Sequence, residues 1–95
     1  MIHIVKTPNG DVHPAVVVSP TLAIPLYEKP WGVCSKVLGW QQAGLHRPSY
    51  AVLSQPWRTY QRRRHLGSLS FEDRVRMVQA AVARPELLPE LRDTL

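Results

Sequence analysis

The first 54 residues consist of short apolar runs, rich in β-branched residues, that turn residues interrupt at short intervals. The runs lie at 1–6, 13–18, 22–27, 33–40 and 49–53, and Pro, Gly, Asn, Asp or Ser residues stand between them. A β-branched run bounded by turn residues is typical of a strand. Short strands at this spacing predict a mainly β fold, a small barrel or sandwich of about five strands.

One segment, at residues 70–84, has the pattern of a helix. Ser70 is a good N-cap, and the acidic residues that follow it complement the positive end of the helix dipole. Apolar residues at helical spacing predict a seam that faces the core: Phe71, Val75, Val78 and Val82. Pro85 ends the helix, and the leucines of the tail at 85–95 are predicted to pack on the barrel or on a partner.

The chain of 95 residues has a formal net charge of +5, and its basic excess lies in the first three quarters. Residues 1–70 contain eight Lys or Arg and two acids, whereas residues 71–95 contain four Arg and five acids. A basic surface attracts polyanions, of which nucleic acid is the commonest in a cytoplasm; the alternative is a positive surface that only keeps the protein soluble. We expect one self-associating domain over 1–95, because so small a domain buries a limited share of its surface.

The sequence lacks the residues that a disulfide, a bilayer-spanning segment, or a common metal or phosphate site requires. A single cysteine, Cys34, cannot form an intramolecular disulfide and fits a reducing cytoplasm, and the longest apolar stretch, 15–26, is too short to span a bilayer. There is no Gly-rich phosphate loop, no HExxH and no paired-Cys zinc spacing, and acids are few, so we expect no metal and no other cofactor. Metal-free hydrolysis would rely on His, Arg, Tyr and Thr, which suit attack by an RNA 2′-hydroxyl on its own phosphate.

Residues 55–69, between the fifth predicted strand and the helix, are interpreted as a basic turn. Aromatic residues and arginines are interleaved in it: Trp57, Arg58, Tyr60, Arg62, Arg63 and Arg64. Guanidinium groups bind phosphates and stack on unpaired bases, and aromatic rings serve as stacking platforms, so this pattern indicates RNA binding. The alternative is that Trp57 fills the barrel and the arginines are only solvated. Trp31 and Trp40 are predicted to lie in the core or a dimer interface.

Three segments resemble, in order and at similar spacing, toxins of the MazF/PemK type over roughly residues 4–84. They are His13-Pro14-Ala15-Val16-Val17-Val18-Ser19, then Ala23-Ile24-Pro25-Leu26-Tyr27, and finally Gly44 to Thr59 followed by Arg64 and Leu69. The resemblance implies an SH3-like antiparallel barrel of the MazF/PemK/CcdB kind with a C-terminal helix, a homodimer, and sequence-specific, metal-independent cleavage of single-stranded mRNA. It also implies a MazE-like antitoxin that wraps the toxin and covers its RNA site.

The sequence departs from the family pattern at both presumed catalytic positions. His13 stands where the family has a phosphate-stabilising arginine, and Tyr27 where it has a threonine; the connections at 8–12 and 19–21 are also short. A different catalytic set, an altered cut-site preference or an inactive relative would each explain this. In the active interpretation His13 acts as acid, base or cation, Tyr27 donates to a phosphoryl oxygen and Glu28 is a possible base. Otherwise they are a strand-end residue, a packing aromatic and a solvated charge.

We therefore predict a growth-inhibiting toxin of a type II toxin–antitoxin system, an endoribonuclease whose catalytic residues are His13, Tyr27 and Glu28. The residues predicted to contact RNA are Lys6, Gln55, Trp57, Arg58, Thr59, Arg62 and Arg64. We expect a cytoplasmic homodimer with single-stranded RNA and an antitoxin as partners, and no membrane contact. The alternative is a non-catalytic basic SH3-like module that binds nucleic acid or a protein. A third possibility is the topoisomerase-poisoning branch of the same superfamily.

Overall fold

The computed structural model describes residues 2–7 and 9–95, and it is mainly β, with one antiparallel sheet and short helices at the C-terminal end. Met1 and Pro8, which the sequence placed in the first strand and the first turn, lie outside the described residues. The strands are β1 (Ile2–Lys6), β2 (Val12–Ser19), β3 (Leu22–Tyr27), β4 (Cys34–Val37), β5 (Ser49–Val52) and β6 (Gln61–Gly67). The helices are α1 (Phe71–Ala80) and α2 (Leu88–Arg92), with 3₁₀ turns at Ala81–Ala83 and Pro85–Leu87 between them.

The six strands form a single sheet in the order β4-β5-β3-β2-β1-β6. β2 and β3 form a hairpin at its centre, in which Ala15 faces Pro25 and Val16 faces Ile24. β1 and β6 extend the sheet on one side, and β5 and β4 on the other. The same register brings the start of β2 beside the end of β3, which decides the position of the candidate site.

Apolar side chains pack on both faces of the central strands. One cluster joins the sheet to the C-terminal segment through Ile2, Leu22, Ile24, Met77, Leu87 and Leu91, all at most 1% exposed. A smaller cluster of Val5, Ala15, Val17 and Ala23 lies against Trp57 and Tyr60. The predicted packing of the C-terminal leucines on the β structure is confirmed for Leu87 and Leu91.

The N-terminus of α1 is as predicted, and of its predicted buried face Val78 packs against the core but Phe71 and Val82 do not. The Ser70 hydroxyl accepts a hydrogen bond from the backbone N–H of Asp73, as a capping residue does. Phe71 and Val82, however, are 54% and 72% exposed. The buried residues are Asp73, Met77 and Ala81, because the Asp73 carboxylate is turned inward to bind the chain after β4.

The segment predicted as a basic turn contains a strand, which raises the strand count to six. β6 pairs with β1 at the edge of the sheet, where Arg62 faces Val5 and His65 faces His3. Its arginines are exposed. Charged residues protect an edge strand from pairing with another chain, so a polar run is compatible with a strand at this place.

Residues 43–44 lie directly against the end of β6. A side-chain carbon on Gly44 would collide with the backbone of Leu66, and one on Gly67 with the backbone of Ala43. Gly44 also has a φ of +88°, which side-chain-bearing residues rarely adopt. These glycines allow the loop before β5 to approach β6, and that approach forms one wall of the larger cleft described below.

None of the helices in the described part of the chain is long and apolar enough to cross a bilayer.

Candidate functional site

His13 and Tyr27 lie side by side on adjacent strands. His13 is the second residue of β2 and Tyr27 the last of β3, and their ring centroids are 4.6 Å apart at an angle of 51°. Both side chains are half-buried. The resemblance predicted these two positions as catalytic, and the β2–β3 register brings them into direct contact.

The His13 ring is held by its own strand. Its Nδ1 is 2.8 Å from the carbonyl oxygen of Pro14. A carbonyl oxygen only accepts, so the hydrogen in this contact belongs to Nδ1, and Nε2 of the neutral ring is left without a proton. An unprotonated Nε2 is able to accept a proton from a hydroxyl, as a general base must.

Gln55 and Trp57 approach the same pair of rings from the loop between β5 and β6. The Trp57 ring meets His13 edge-on with centroids 5.6 Å apart, and the Tyr27 hydroxyl donates to Oε1 of Gln55 at 3.4 Å. Trp57 is fixed by two backbone hydrogen bonds with Ala23 of β3, at 2.8 and 2.9 Å. Two of the predicted RNA-binding residues therefore lie beside the predicted catalytic pair.

His13 and Tyr27 line two clefts of different chemistry. The larger, which we name the apolar cleft, has a volume of about 770 Å³. Hydrophobic side chains form much of its lining: Ile4, Val12, Leu26, Trp31, Leu45 and Leu66. The cations Lys29, Arg47 and Arg64 also line it.

The second cleft, which we name the polar cleft, has a volume of about 470 Å³. Besides His13 and Tyr27 it is lined by Thr7, Asn9, Asp11, Gln55 and Trp57. An aromatic ring is able to stack on a base, and the carboxylate and amide groups beside it are able to hydrogen-bond with the edge of that base.

Glu28 also lines the apolar cleft, but its carboxylate has a partner. Its Oε1 is 3.5 Å from Nε of Arg47, and both side chains are exposed. Exposed ion pairs contribute little to stability, so this pair is free to open when a ligand enters. The structure thus brings all three predicted catalytic residues to one place.

Of the residues predicted to contact RNA, some line one of the two clefts and the rest line neither. Arg64 lines the apolar cleft, and Gln55 and Trp57 line the polar cleft. The others lie outside both clefts: Lys6, Arg58, Thr59 and Arg62.

Arg58 is engaged elsewhere in the molecule. Its Nη1 is 2.6 Å from Glu90 of α2 and 3.4 Å from the carbonyl oxygen of Thr21. Ser19 donates to the same Glu90 carboxylate at 2.9 Å, so the group ties α2 to the β2–β3 turn.

Sequence reasoning missed several residues of the two clefts. Trp31 was predicted to lie in the core or a dimer interface, and the core is wrong, because the side chain is 46% exposed and lines the apolar cleft. Lys29 and Arg47 in the apolar cleft, and Asn9 and Asp11 in the polar cleft, were not predicted either. One signal was present: Lys29 and Trp31 follow Tyr27 closely, the same mixture of cation and aromatic that marked residues 57–64.

Within residues 2–7 and 9–95, no group of three or more His, Cys, Asp or Glu side chains is arranged to hold a metal ion.

In comparisons with known proteins, no family model, no curated protein and no solved structure matches this chain.

Proposed function

We propose that this protein is a metal-independent endoribonuclease that cleaves single-stranded mRNA, the toxin of a type II toxin–antitoxin system. The contact between His13 and Tyr27, in a position open to two clefts, carries the proposal. The resemblance to MazF/PemK-type toxins and the basic first three quarters of the chain support it.

The proposed reaction uses a nucleophile that the RNA supplies. Nε2 of His13 takes the proton of a 2′-hydroxyl, the 2′-oxygen forms a bond to the adjacent phosphorus, and the bond from phosphorus to the 5′-oxygen breaks. The leaving 5′-oxygen takes a proton from solvent, so the products are a 2′,3′-cyclic phosphate and a 5′-hydroxyl. The Tyr27 hydroxyl donates to a phosphoryl oxygen, where negative charge increases in the transition state.

Finer features of the fold and the partners belong to the same proposal. An SH3-like barrel is supported by the approach of residues 43–44 to the end of β6. A homodimer is supported by the small size of the chain and by the exposed Val82 and Leu38. An antitoxin partner rests on the resemblance, and a cytoplasmic location on the single cysteine.

A second candidate function is a non-catalytic module that binds RNA or a protein. One specific observation favours it: His13 and Tyr27 pack on each other and on Trp57, as aromatic residues of a purely structural cluster would. Fold alone does not decide between the two functions.

The deciding experiment is incubation of the protein with a long single-stranded RNA in EDTA, followed by mapping of all new ends. We expect discrete cuts that leave cyclic phosphate and 5′-hydroxyl ends. His13→Ala should slow cutting by about 10²-fold or more while RNA affinity is retained. His65→Ala, purified in the same way, is the matched control because His65 lies outside both clefts.

RNA that remains intact at protein concentrations that saturate binding would overturn cleavage and favour the binding module. Cutting that persists in His13→Ala would show that the nuclease is a contaminant or that His13 is not its base. Absence of both cutting and binding would reject RNA as the partner.

A further inference from the structure

Trp31 presents a large aromatic side chain to solvent beside the candidate site. It lies in the connection between β3 and β4, is 46% exposed, and lines the apolar cleft together with His13 and Tyr27. Its role is not needed for the proposed proton transfer. A half-exposed indole in a cleft provides a flat apolar surface for a ligand.

The rest of the apolar cleft combines two kinds of chemistry. Ile4, Leu26 and Leu66 contribute apolar surface, and Lys29 and Arg64 contribute positive charge. Arg47 is partly neutralised by Glu28, 3.5 Å away. A planar apolar group attached to a phosphate fits such a lining, and an unpaired nucleotide has this composition.

We propose that the apolar cleft is the subsite for the base of a nucleotide that flanks the scissile phosphate, and that Trp31 is its stacking platform. The inference rests on the proposed function, because it places RNA at His13 and Tyr27. Stacking accepts every base, so this subsite requires a base without selecting which one. Selection among bases then falls to the polar cleft, where Asn9, Asp11 and Gln55 offer hydrogen-bonding groups.

The test measures binding, which does not depend on cleavage. Short RNA with a 2′-deoxy nucleotide at the mapped cut site, or unmodified RNA if no cut is found, is labelled and titrated by fluorescence anisotropy. Wild type is compared with Trp31→Ala, Trp31→Phe and the control Phe71→Ala. Phe71 is a matched choice because it is also an exposed aromatic, but it lines neither cleft. Each RNA position is made abasic in turn.

We expect Trp31→Ala to weaken binding about tenfold, Trp31→Phe to weaken it much less, and Phe71→Ala to leave it unchanged. One abasic position next to the cut should weaken wild-type binding by a similar factor. The same abasic RNA should bind Trp31→Ala no more weakly than intact RNA does, because the stacking contact is already lost. Exchange of that base for any other base should change wild-type affinity little.

Three results would each overturn the inference. The first is equal RNA binding by wild type and Trp31→Ala. The second is that the losses of affinity from Trp31→Ala and from every abasic position simply add, and the third is a loss of self-association in Trp31→Ala with unchanged RNA binding. The last would assign the ring to an interface between copies. Failure of this inference is distinguishable from failure of the proposed function. Cutting with no effect of Trp31 leaves the ribonuclease intact, whereas Trp31-dependent binding without any cutting leaves the base subsite and removes the enzyme.

Discussion

Asp73, in the first turn of α1, accepts a hydrogen bond from the backbone N–H of Gly39 at 2.9 Å through Oδ2. Its other oxygen accepts from the N–H of Leu38 at 2.9 Å and pairs with Arg76 at 2.8 Å. The Asp73 side chain is almost fully buried. A single carboxylate therefore connects α1 to the end of β4 and fixes the start of the loop that leads to the apolar cleft.

Asp73→Ala should lower the free energy of unfolding by about 3 kcal/mol, because it removes the hydrogen bonds that a buried charged group accepts from the N–H groups of Leu38 and Gly39. Urea denaturation at pH 7 measures the change. Glu72→Ala, on the exposed side of the same turn, is the control and should have a small effect. Equal losses in the two variants would mean that the helix dipole, and not the tie to β4, is the source of the stabilisation.

Tyr27→Phe should lower the kcat of RNA cleavage about a hundredfold with little change in KM. The substitution keeps the ring that contacts His13 and removes only the hydroxyl that we propose donates to phosphate. Tyr50→Phe is the matched control, because Tyr50 faces Tyr27 across the β3–β5 pair. Full activity in Tyr27→Phe would show that the residue serves only in packing.

Arg58→Gln should leave RNA affinity within about twofold of wild type, although the sequence predicted Arg58 as an RNA contact. The side chain binds Glu90, and the hydrogen bond that it donates holds the pKa of that carboxyl below its usual range. A lowered folded-state pKa stabilises the protein above the usual carboxyl pKa and ceases to do so as the pH falls through the folded value. The variant should lose at most about 1 kcal/mol of stability at pH 7. A large fall in RNA affinity would return Arg58 to the interface.

The sequence marked two residues that the fold brings into contact, but it predicted the elements around them less well. The resemblance marked His13 and Tyr27, and the hairpin register between β2 and β3 explains why two residues 14 positions apart are in contact. The predicted helix seam was wrong at Phe71 and Val82, because the pattern considered only apolar residues. It had no means of showing that Asp73 would be buried to bind the backbone after β4.

The residues that were missed depend on long-range contacts. Gln61–Gly67 has few apolar residues, and only its pairing with β1 makes it a strand. Trp31 has the composition of a core residue, and its exposure follows from the path of the loop between β3 and β4. Periodicity reports which side of an element is apolar, but the partner of that side is decided by tertiary packing.

Arg64→Gln should weaken RNA binding and reduce the slope of log affinity against log salt by about 0.7, the change expected for one phosphate contact on a single strand. Arg64 lines the apolar cleft, whereas Arg63 does not, and successive strand residues point to opposite faces. Arg63→Gln is therefore a control with the same change in charge. Anisotropy titrations between about 50 and 200 mM salt give both slopes. Equal changes in the two variants would indicate a general attraction with no defined phosphate site.

The stability of the fold should fall as the pH falls below about 6.5, and His3 should be one source of this dependence. His3 of β1 contacts His65 of β6 with ring centroids 4.9 Å apart, and both of its ring nitrogens are buried without a hydrogen-bond partner. Burial lowers the pKa of His3 from its ordinary value of 6.5, and the nearby His65 and Arg62 lower it further. The unfolded chain therefore binds a proton at His3 before the folded chain does.

His3→Phe, which keeps a ring between β1 and β6, should flatten the pH dependence of the unfolding free energy between pH 7 and the lowered folded-state pKa. His46→Gln, which also removes a histidine but in an exposed loop, is the control. Urea denaturation at a series of pH values measures all three proteins. Parallel pH profiles for wild type and His3→Phe would mean that other groups take up the proton. A profile that flattens only in His3→Phe would locate the proton uptake at His3, where β1 pairs with β6.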